Sequence, residues 1–254
     1  MKVVVVASTS IDDFTIQKSG YALQMNTPLA QSTRPPLYNS DGSVSQYFSD
    51  WFESHCISDA DELAEMAGRL CYQSFHRPNQ KTAENRDYLA HIIEVGHFSI
   101  LEHASVTFYV EGVSRAMLLE LERHRHLSFS VVSQRYVDHS DAQMIEPPIV
   151  KEMGVAGRSA IGTHMLRAQD LYVDLVARLQ QLGYNRKEAR GAARCVLPEG
   201  TETKFVVTGN LRAWREIIGK RNSPHADQEI REFAQLVLGH LKNYASNSMQ
   251  DLEI

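Results

Sequence analysis

Three short stretches of β-branched sequence, each followed by runs of helical periodicity, set the limits on what this chain can fold into. Residues 105–111 (SVTFYVE) alternate β-branched and aromatic side chains at a period of two, as a strand with one buried face does. Residues 204–208 (KFVVT) have the same character. The opening MKVVVVAS reads as a buried first strand, because its apolar run is too short and too β-branched for the core of a signal peptide. Helical spacing fills the intervals. Leu63, Met66, Ala67 and Leu70 recur behind Ser58 or Asp59 as a cap, and Leu89, Ile92 and Ile93 mark a second helix over 85–95 with Gly96 as its stop. Both apolar faces are expected in the core. Ser114 caps a helix from 115 to about 124, with Ala116, Met117, Leu118 and Leu121 expected to be buried. A long helix over 157–182 ends at Gly183, and Asn185 to Glu188 has capping-box spacing, opening a helix to Val196. Asn210 caps a short helix to Ile218, and Ser223-Pro224 opens a last helix to about Tyr244.

The order strand, helices, strand, helices, strand, helices specifies an α+β (mixed α/β) fold, a small mixed sheet flanked by several helices including one long helix. At 254 residues a chain buries on the order of 75% of its extended surface, enough for a core without staples. One domain over 1–254 is expected, with an irregular excursion at about 12–58. There Asn26-Thr27-Pro28, Pro35-Pro36 and the segment from Ser40 to Ser43 concentrate turn formers. The length also suits an eight-fold barrel, but no regular strand–helix alternation and no internal repeat accompanies it.

Charge and motifs then narrow the chemistry. With 26 Lys and Arg against 31 Asp and Glu, the net charge is −5, which argues against a general duplex binder that neutralises many phosphates. Cys56, Cys71 and Cys195 are far apart, so neither a disulfide framework nor a zinc ribbon is suggested; a cytoplasmic location fits, with Cys195 as a small core residue. No apolar run approaches the roughly 20 residues that cross a bilayer. None of the fourteen glycines forms Gly-x-Gly, so the dinucleotide fingerprint and the phosphate loop are both absent. His124 and His126, two apart, would point to opposite sides of a helix, and a shared metal would need that segment extended.

The positive signal is the run from Arg123 to Tyr136, RHRHLSFSVVSQRY, with three Arg, two His, three Ser and no acid in an acidic chain. Guanidinium forks match phosphate oxygens, and serine hydroxyls complete such a cradle, so the run reads as an anion site. The competing reading is a solvated basic turn after a helix, where Arg and His complement the macrodipole. A second basic set comprises Arg190, Arg194, Arg212, Arg215 and Arg221. Arg190 and Arg215 have Glu neighbours at helical spacing with which to pair. Arg194 and Arg221 fall at helix ends beside apolar residues, where a half-buried guanidinium needs a partner, which favours ligand contact.

Within RHRHLSFSVVSQRY, Arg-His-Arg followed after seven residues by Ser resembles the signature of the flavin-dependent thymidylate synthases. GHFSILEHASVTFYVEGVSR resembles the family's segment ahead of the signature, and ARCVLPEGTETKFVVTGNLRAW and KRNSPHADQEI resemble its carboxy-terminal half. The likeness covers roughly residues 59–244, in order. It implies a homotetramer with shared active sites that binds FAD, deoxyuridine monophosphate (dUMP), methylenetetrahydrofolate and NADPH, and methylates the uracil ring without a cysteine nucleophile. It places Ser99, Glu102, Arg123, His124, Arg125, Val131, Asn210, Arg212 and Glu216 at flavin positions. Glu120, Arg123, Val131, Ser133, Gln134, Arg135, Arg194 and Arg221 fall at nucleotide positions, Ser133, Gln134, Arg135 and Arg194 forming the phosphate cradle. Arg221 matches the catalytic arginine set against the uracil ring, and His97 a histidine near flavin and folate. Val131 stands where members commonly carry Glu or Gln, Glu120 where Gln is common, and Glu216 at a variable position. Two alternatives stay open: a binding module for nucleotides or single-stranded nucleic acid, and a flavin-binding member that has lost turnover.

Overall fold

The computed structural model describes residues 1–10, 58–72, 74 and 79–253. All but the last residue of the excursion at 12–58, together with Cys56, lies outside the described residues. The elements are β1 (Lys2–Ser8), α1 (Asp59–Tyr72), α2 (Asn85–Glu94), β2 (Ser105–Ser114), α3 (Arg115–Leu121), β3 (Leu127–Val131), α4 (Pro148–Lys151), α5 (Gly154–Gln181), α6 (Arg186–Ala193), β4 (Glu202–Asn210), α7 (Leu211–Arg221) and α8 (Gln228–Tyr244). Short 3-10 turns occupy Gln80–Thr82, Phe98–Glu102 and Arg194–Val196. The α+β class holds.

Contacts gather the chain into two compact units. The first comprises Met1–Ala7, Val106–His240 and the chain end from Leu252. Its sheet has the order β1-β2-β4-β3. Instead of the mixed sheet expected, all neighbours are antiparallel. The reason is topological: β2 and β3 run the same way, and β4 enters between them in the opposite sense, so no parallel pair is made. β1 forms but is not buried. Only Val3 is, while Val4 and Val6 are exposed, because β1 is an edge strand with one open face.

Trp214 of α7 anchors the core of this unit. Its ring meets Phe108 of β2 edge-on at 5.1 Å, and its Nε1–H donates to the Val106 carbonyl at 3.2 Å. Leu118, Leu121, Leu211, Ile217, Ile218, Phe233 and Val237 are buried with it, but Ala116, expected inside, is exposed. Ser114 caps α3 by accepting from the Met117 N–H, and its own N–H and hydroxyl donate to the Glu229 carboxylate. α3 stops at Leu121, three residues earlier than expected, so His124 and Arg125 leave the helix. α8 begins at Gln228 because 223–227 form turns, with the Asp227 carboxylate accepting from the Glu229 N–H. α5 is long as expected, and Gly183 beyond its end takes φ +94°. Its buried residues are Gly157, Met165, Ala168 and Tyr172, whereas Val155, Leu166 and Val173 stand exposed.

The second unit comprises the described residues of 8–105 with Leu241–Asp251. α1 reverses the expectation from its periodicity. Leu63, Met66, Ala67 and Leu70 are not its most buried side chains as a set; Asp61, Glu62, Glu65 and Arg69 are buried instead. Hydrogen bonding decides this, since charges can be buried where partners satisfy them. Asp61 accepts from the Ser248 hydroxyl, and from the backbone N–H groups of Asn247 and Ser248 at 2.9 Å each. Glu65 accepts from Arg69 Nε and Asn85 Nδ2, and Arg69 Nη2 donates to the Thr82 carbonyl. α2 behaves as expected for Leu89 and Ile92, while Ile93 is half-buried; Gly96 stops the helix at φ +73°.

Asp61→Ala would strand the Ser248 hydroxyl and two backbone donors. A loss of about 2–4 kcal/mol in unfolding free energy is expected, read from urea denaturation, since each buried unsatisfied group costs about 1–3 kcal/mol.

Candidate active site

The basic run is not one solvated turn. Its centre is β3, hydrogen-bonded to β4 with Leu127 opposite Gly209, Ser128 opposite Thr208, Phe129 opposite Val207, Ser130 opposite Val206 and Val131 opposite Phe205. Leu127, Phe129 and Val131 are half-buried, and Ser128 and Ser130 are exposed, the alternation of a strand with one face on the core. Gly209 is needed for the approach. A Cβ there would sit 2.5 Å from Leu127 Cδ2 and 3.1 Å from the Trp214 indole. The two halves of the run therefore emerge from opposite ends of one strand, and each meets a different helix.

At the amino-terminal end, His124 meets α7. Asn210 opens that helix, its side chain accepting from the Ala213 N–H at 2.8 Å, and Arg221 closes it. Arg221 Nε–H donates to His124 Nε2 at 3.0 Å, and Nη2 donates to the Glu120 carbonyl at 3.2 Å. Nη1 lies 3.6 Å from the Glu120 carboxylate, whose Oε2 is buried without a hydrogen bond. The partner that a half-buried Arg221 requires is thus supplied by the end of α3 and by an imidazole. Accepting at Nε2 requires that nitrogen to be unprotonated. Burial, then the charges of Arg221 and Lys220, push the His124 imidazole below its ordinary pKa of 6.5, against Glu216, which acts to raise it. Glu216 accepts from Lys220, and that bond holds its carboxyl below the usual range against the opposing effect of burial. His124, Arg125 and His126 line a small notch with Ala213, Glu216 and Ile217. Among the described residues no group of His, Cys, Asp and Glu is placed to hold a metal.

At the carboxy-terminal end, Arg135, Tyr136 and Asp138 meet α6. Asn185 and Glu188 form the expected capping box that starts this helix. The Ser133 carbonyl accepts from the Tyr136 and Val137 N–H groups, closing a turn in which Gln134 is buried and Arg135 exposed. Arg190 does not pair with a helical Glu. It donates through Nη1 to the Tyr136 carbonyl at 2.7 Å and through Nη2 to Asp138, because the incoming turn offers its fork two acceptors at once. Lys187 Nζ stands 4.8 Å from the Tyr136 ring. The Arg135 stem passes over Gly191, where a Cβ would lie 3.5 Å from Arg135 Cγ. The structure thus brings Arg135, in the turn that the Ser133 carbonyl closes, to the helix that ends beside Arg194.

Two expectations fail at that end. Arg194 is exposed rather than half-buried, and Cys195 is exposed rather than in the core. The cause is local: α6 gives way at Ala193 to a 3-10 turn over Arg194–Val196, which changes the facing of both side chains. The guanidinium groups of Arg123, Arg125 and Arg194 make no hydrogen bond or ion pair among the described residues. Donors left open in an acidic chain suit an anionic ligand.

The remaining candidates lie on other elements. Arg212 is exposed on the first turn of α7 and Val131 ends β3. In the second unit, Ser99 and Glu102 lie on the 3-10 turn Phe98–Glu102, Glu102 exposed, and His97 stands just before it. A cavity of about 530 Å³ in the first unit carries Glu120 and Arg123 in its wall with Met117, Leu119, Met144, Ile145 and Ile161. Glu199, Asp227 and Glu229 also line it, so it suits an apolar or neutral group better than a phosphate. Sequence reading missed the tie of Lys187 and Arg190 to Tyr136 and Asp138. The partners are about 50 residues apart, and no local spacing signals them.

A family model described as "Thymidylate synthase complementing protein" matches residues 54–245. A probable flavin-dependent thymidylate synthase of Mycobacterium phage L5 is 45% identical over 257 aligned positions, covering 99% of this chain and 97% of that protein. A probable flavin-dependent thymidylate synthase of Mycobacterium phage D29 is 51% identical over 204 positions, covering 79% and 86%. The flavin-dependent thymidylate synthase of Mycolicibacterium vanbaalenii is 47% identical over 217 positions, covering 78% and 82%.

The tie on Arg190 gives a pH test. Burial raises the Asp138 carboxyl, but hydrogen bonds from Ser140 and the Arg190 charge outweigh it and hold the group below its usual 3.8. A carboxyl lowered on folding stabilises above its unfolded pKa and loses that stabilisation as pH falls through the folded value. The stability difference between wild type and Asp138→Asn, measured by urea denaturation, is therefore expected to be constant above about pH 5 and to vanish as pH falls below the usual carboxylate range.

Proposed function

This chain belongs to the family of flavin-dependent thymidylate synthases, and on that premise we propose how its residues carry out the reductive methylation of dUMP to thymidine monophosphate. Methylenetetrahydrofolate is the carbon donor, and FAD reduced by NADPH is the hydride source. The observation that carries the reading is the junction at His124, where the signature run and the last residue of α7 meet through the Arg221–His124 hydrogen bond.

The residues present fit an anionic nucleotide and a flavin. Open arginines flank both ends of β3, and the buried Glu120 Oε2 beside Arg221 lacks a hydrogen-bond donor that a substrate N–H would supply. Ser133, Gln134, Arg135 and Arg194 hold the nucleotide phosphate, the hydroxyl and guanidinium forks matching its oxygens. Arg123, His124, Arg125, Val131, Asn210, Arg212 and Glu216 are assigned to the flavin, as are Ser99 and Glu102. The flavin, when bound, supplies the reducing equivalents of the reaction.

Arg221 does the electrostatic work on the pyrimidine. Methylation needs electron density at the ring's fifth carbon, and a guanidinium against the imide stabilises the ionised ring that provides it. Glu120 and His124 keep that guanidinium from rotating away. No cysteine nucleophile is required.

The exposed apolar side chains of α5, among them Val155 and Leu166, support assembly as a homotetramer with shared sites. No described helix is long and apolar enough to cross a membrane, and a cytoplasmic location is the one proposed.

Purified protein is expected to be yellow, to bleach with NADPH, and to convert dUMP to thymidylate. Arg221→Ala is expected to lower thymidylate formation by about 100-fold or more while the flavin band remains, the scale seen when one preorganised donor to developing charge is removed. Protein that takes up no FAD, or an Arg221→Ala variant with wild-type turnover, would refute the reading. Salt-dependent oligonucleotide binding without turnover would favour a binding module instead.

A further inference from the structure

Arg221 is held by Glu120, through its carbonyl and through the carboxylate 3.6 Å from Nη1, and by the His124 imidazole. The Glu120 carbonyl accepts from Nη2 at any pH. The His124 imidazole accepts from Nε only while Nε2 is unprotonated, because an added proton turns the acceptor into a donor and sets two cations 3.0 Å apart. We propose that His124 is a positioning residue for the reaction: its neutral imidazole fixes the Arg221 guanidinium for the substrate, and protonation at Nε2 removes that restraint while the contacts to Glu120 remain. The inference rests on the role of Arg221 given under Proposed function.

The surroundings keep this acceptor neutral near pH 7. α7 presents Arg221, Lys220 and Glu216 to it, its own segment presents Arg123, Arg125 and His126, and Glu120 stands at the end of α3. The Glu216 carboxylate acts to raise the pKa of the imidazole, and its salt bridge to Lys220 offsets that effect. Burial and the neighbouring cations lower the pKa of His124, so the Arg221 bond is intact at neutral pH and is lost as pH falls through a value under 6.5. With Nε2 engaged, the single proton of the neutral ring sits on Nδ1.

The test uses the holoenzyme with all substrates saturating, from about pH 5 to 9, a range that brackets the ordinary histidine pKa. Wild type is expected to lose kcat on the acid side as one proton binds. His124→Gln places a non-titrating amide oxygen near the Nε2 position. It is expected to exceed His124→Ala in kcat by about tenfold or more at about pH 8, and what activity it has is expected to lack that acid limb. A Gln variant with the wild-type acid limb, or with no advantage over Ala, overturns the proposal.

A second arm needs no turnover. Exchange of the His124 ring Cε1 hydrogen in D2O, followed by mass spectrometry, reports the titration of that one imidazole. The midpoint is expected to rise in Arg221→Met by about half a pH unit or more, and an unchanged midpoint overturns the proposal. Wild-type protein that makes no thymidylate would defeat the enzyme reading, and the exchange arm would still decide whether His124 and Arg221 are coupled.

Discussion

The pairing of β3 with β4 is the constraint on which the site depends. Five residue pairs, from Leu127 opposite Gly209 to Val131 opposite Phe205, fix the basic run in the sheet. Because side chains alternate, a slip of one residue would turn Ser128 and Ser130 inward and Leu127, Phe129 and Val131 outward. The same register places the segments on either side. β4 runs straight into α7, so the position of Leu127 beside Gly209 decides that His124 is within a hydrogen bond of Arg221. The opposite end decides that Arg135 and Tyr136 arrive at α6. Trp214 locks this from behind, since its indole is bonded to β2 and lies 3.1 Å from where a Cβ on residue 209 would be.

Much of this is legible in the sequence because it is local. The caps at Ser114, Asn185 and Asn210, the stops at Gly96 and Gly183 and the alternation in β2 and β4 each depend on residues within a few positions. The illegible part depends on distant partners. The order of strands places β4 between β2 and β3, and nothing within any strand announces that. Arg190 has Glu at helical spacing but finds Tyr136 and Asp138 more than 50 residues away. β1 looks like a core strand from its valines and lies at the edge of the sheet. Cys195 would be a core residue if α6 continued, and the 3-10 turn that begins at Arg194 turns it outward instead.

The charge distribution follows the same division of labour. The chain is acidic, yet its arginines meet partners of two kinds. Some are spent on architecture, as Arg69 is on Glu65 and the Thr82 carbonyl and Arg190 is on the 136–138 segment. Others keep their forks open, as Arg123, Arg125 and Arg194 do. Arg221 sits between these classes, half-buried and held by His124 and Glu120, the arrangement expected of a group that must be rigid to act on a bound ring.

The reversed burial of α1 bears on how substitutions in this chain are to be judged. Asp61, Glu62 and Glu65 hold the interior, and Leu63, Met66 and Leu70 lie nearer the surface. A rule that treats charged helix positions as tolerant and aliphatic ones as intolerant would rank the changes in this helix in the wrong order. Asp61 and Glu65 behave as core residues in all but polarity, so that even an isosteric amide at either alters which neighbours can donate to it.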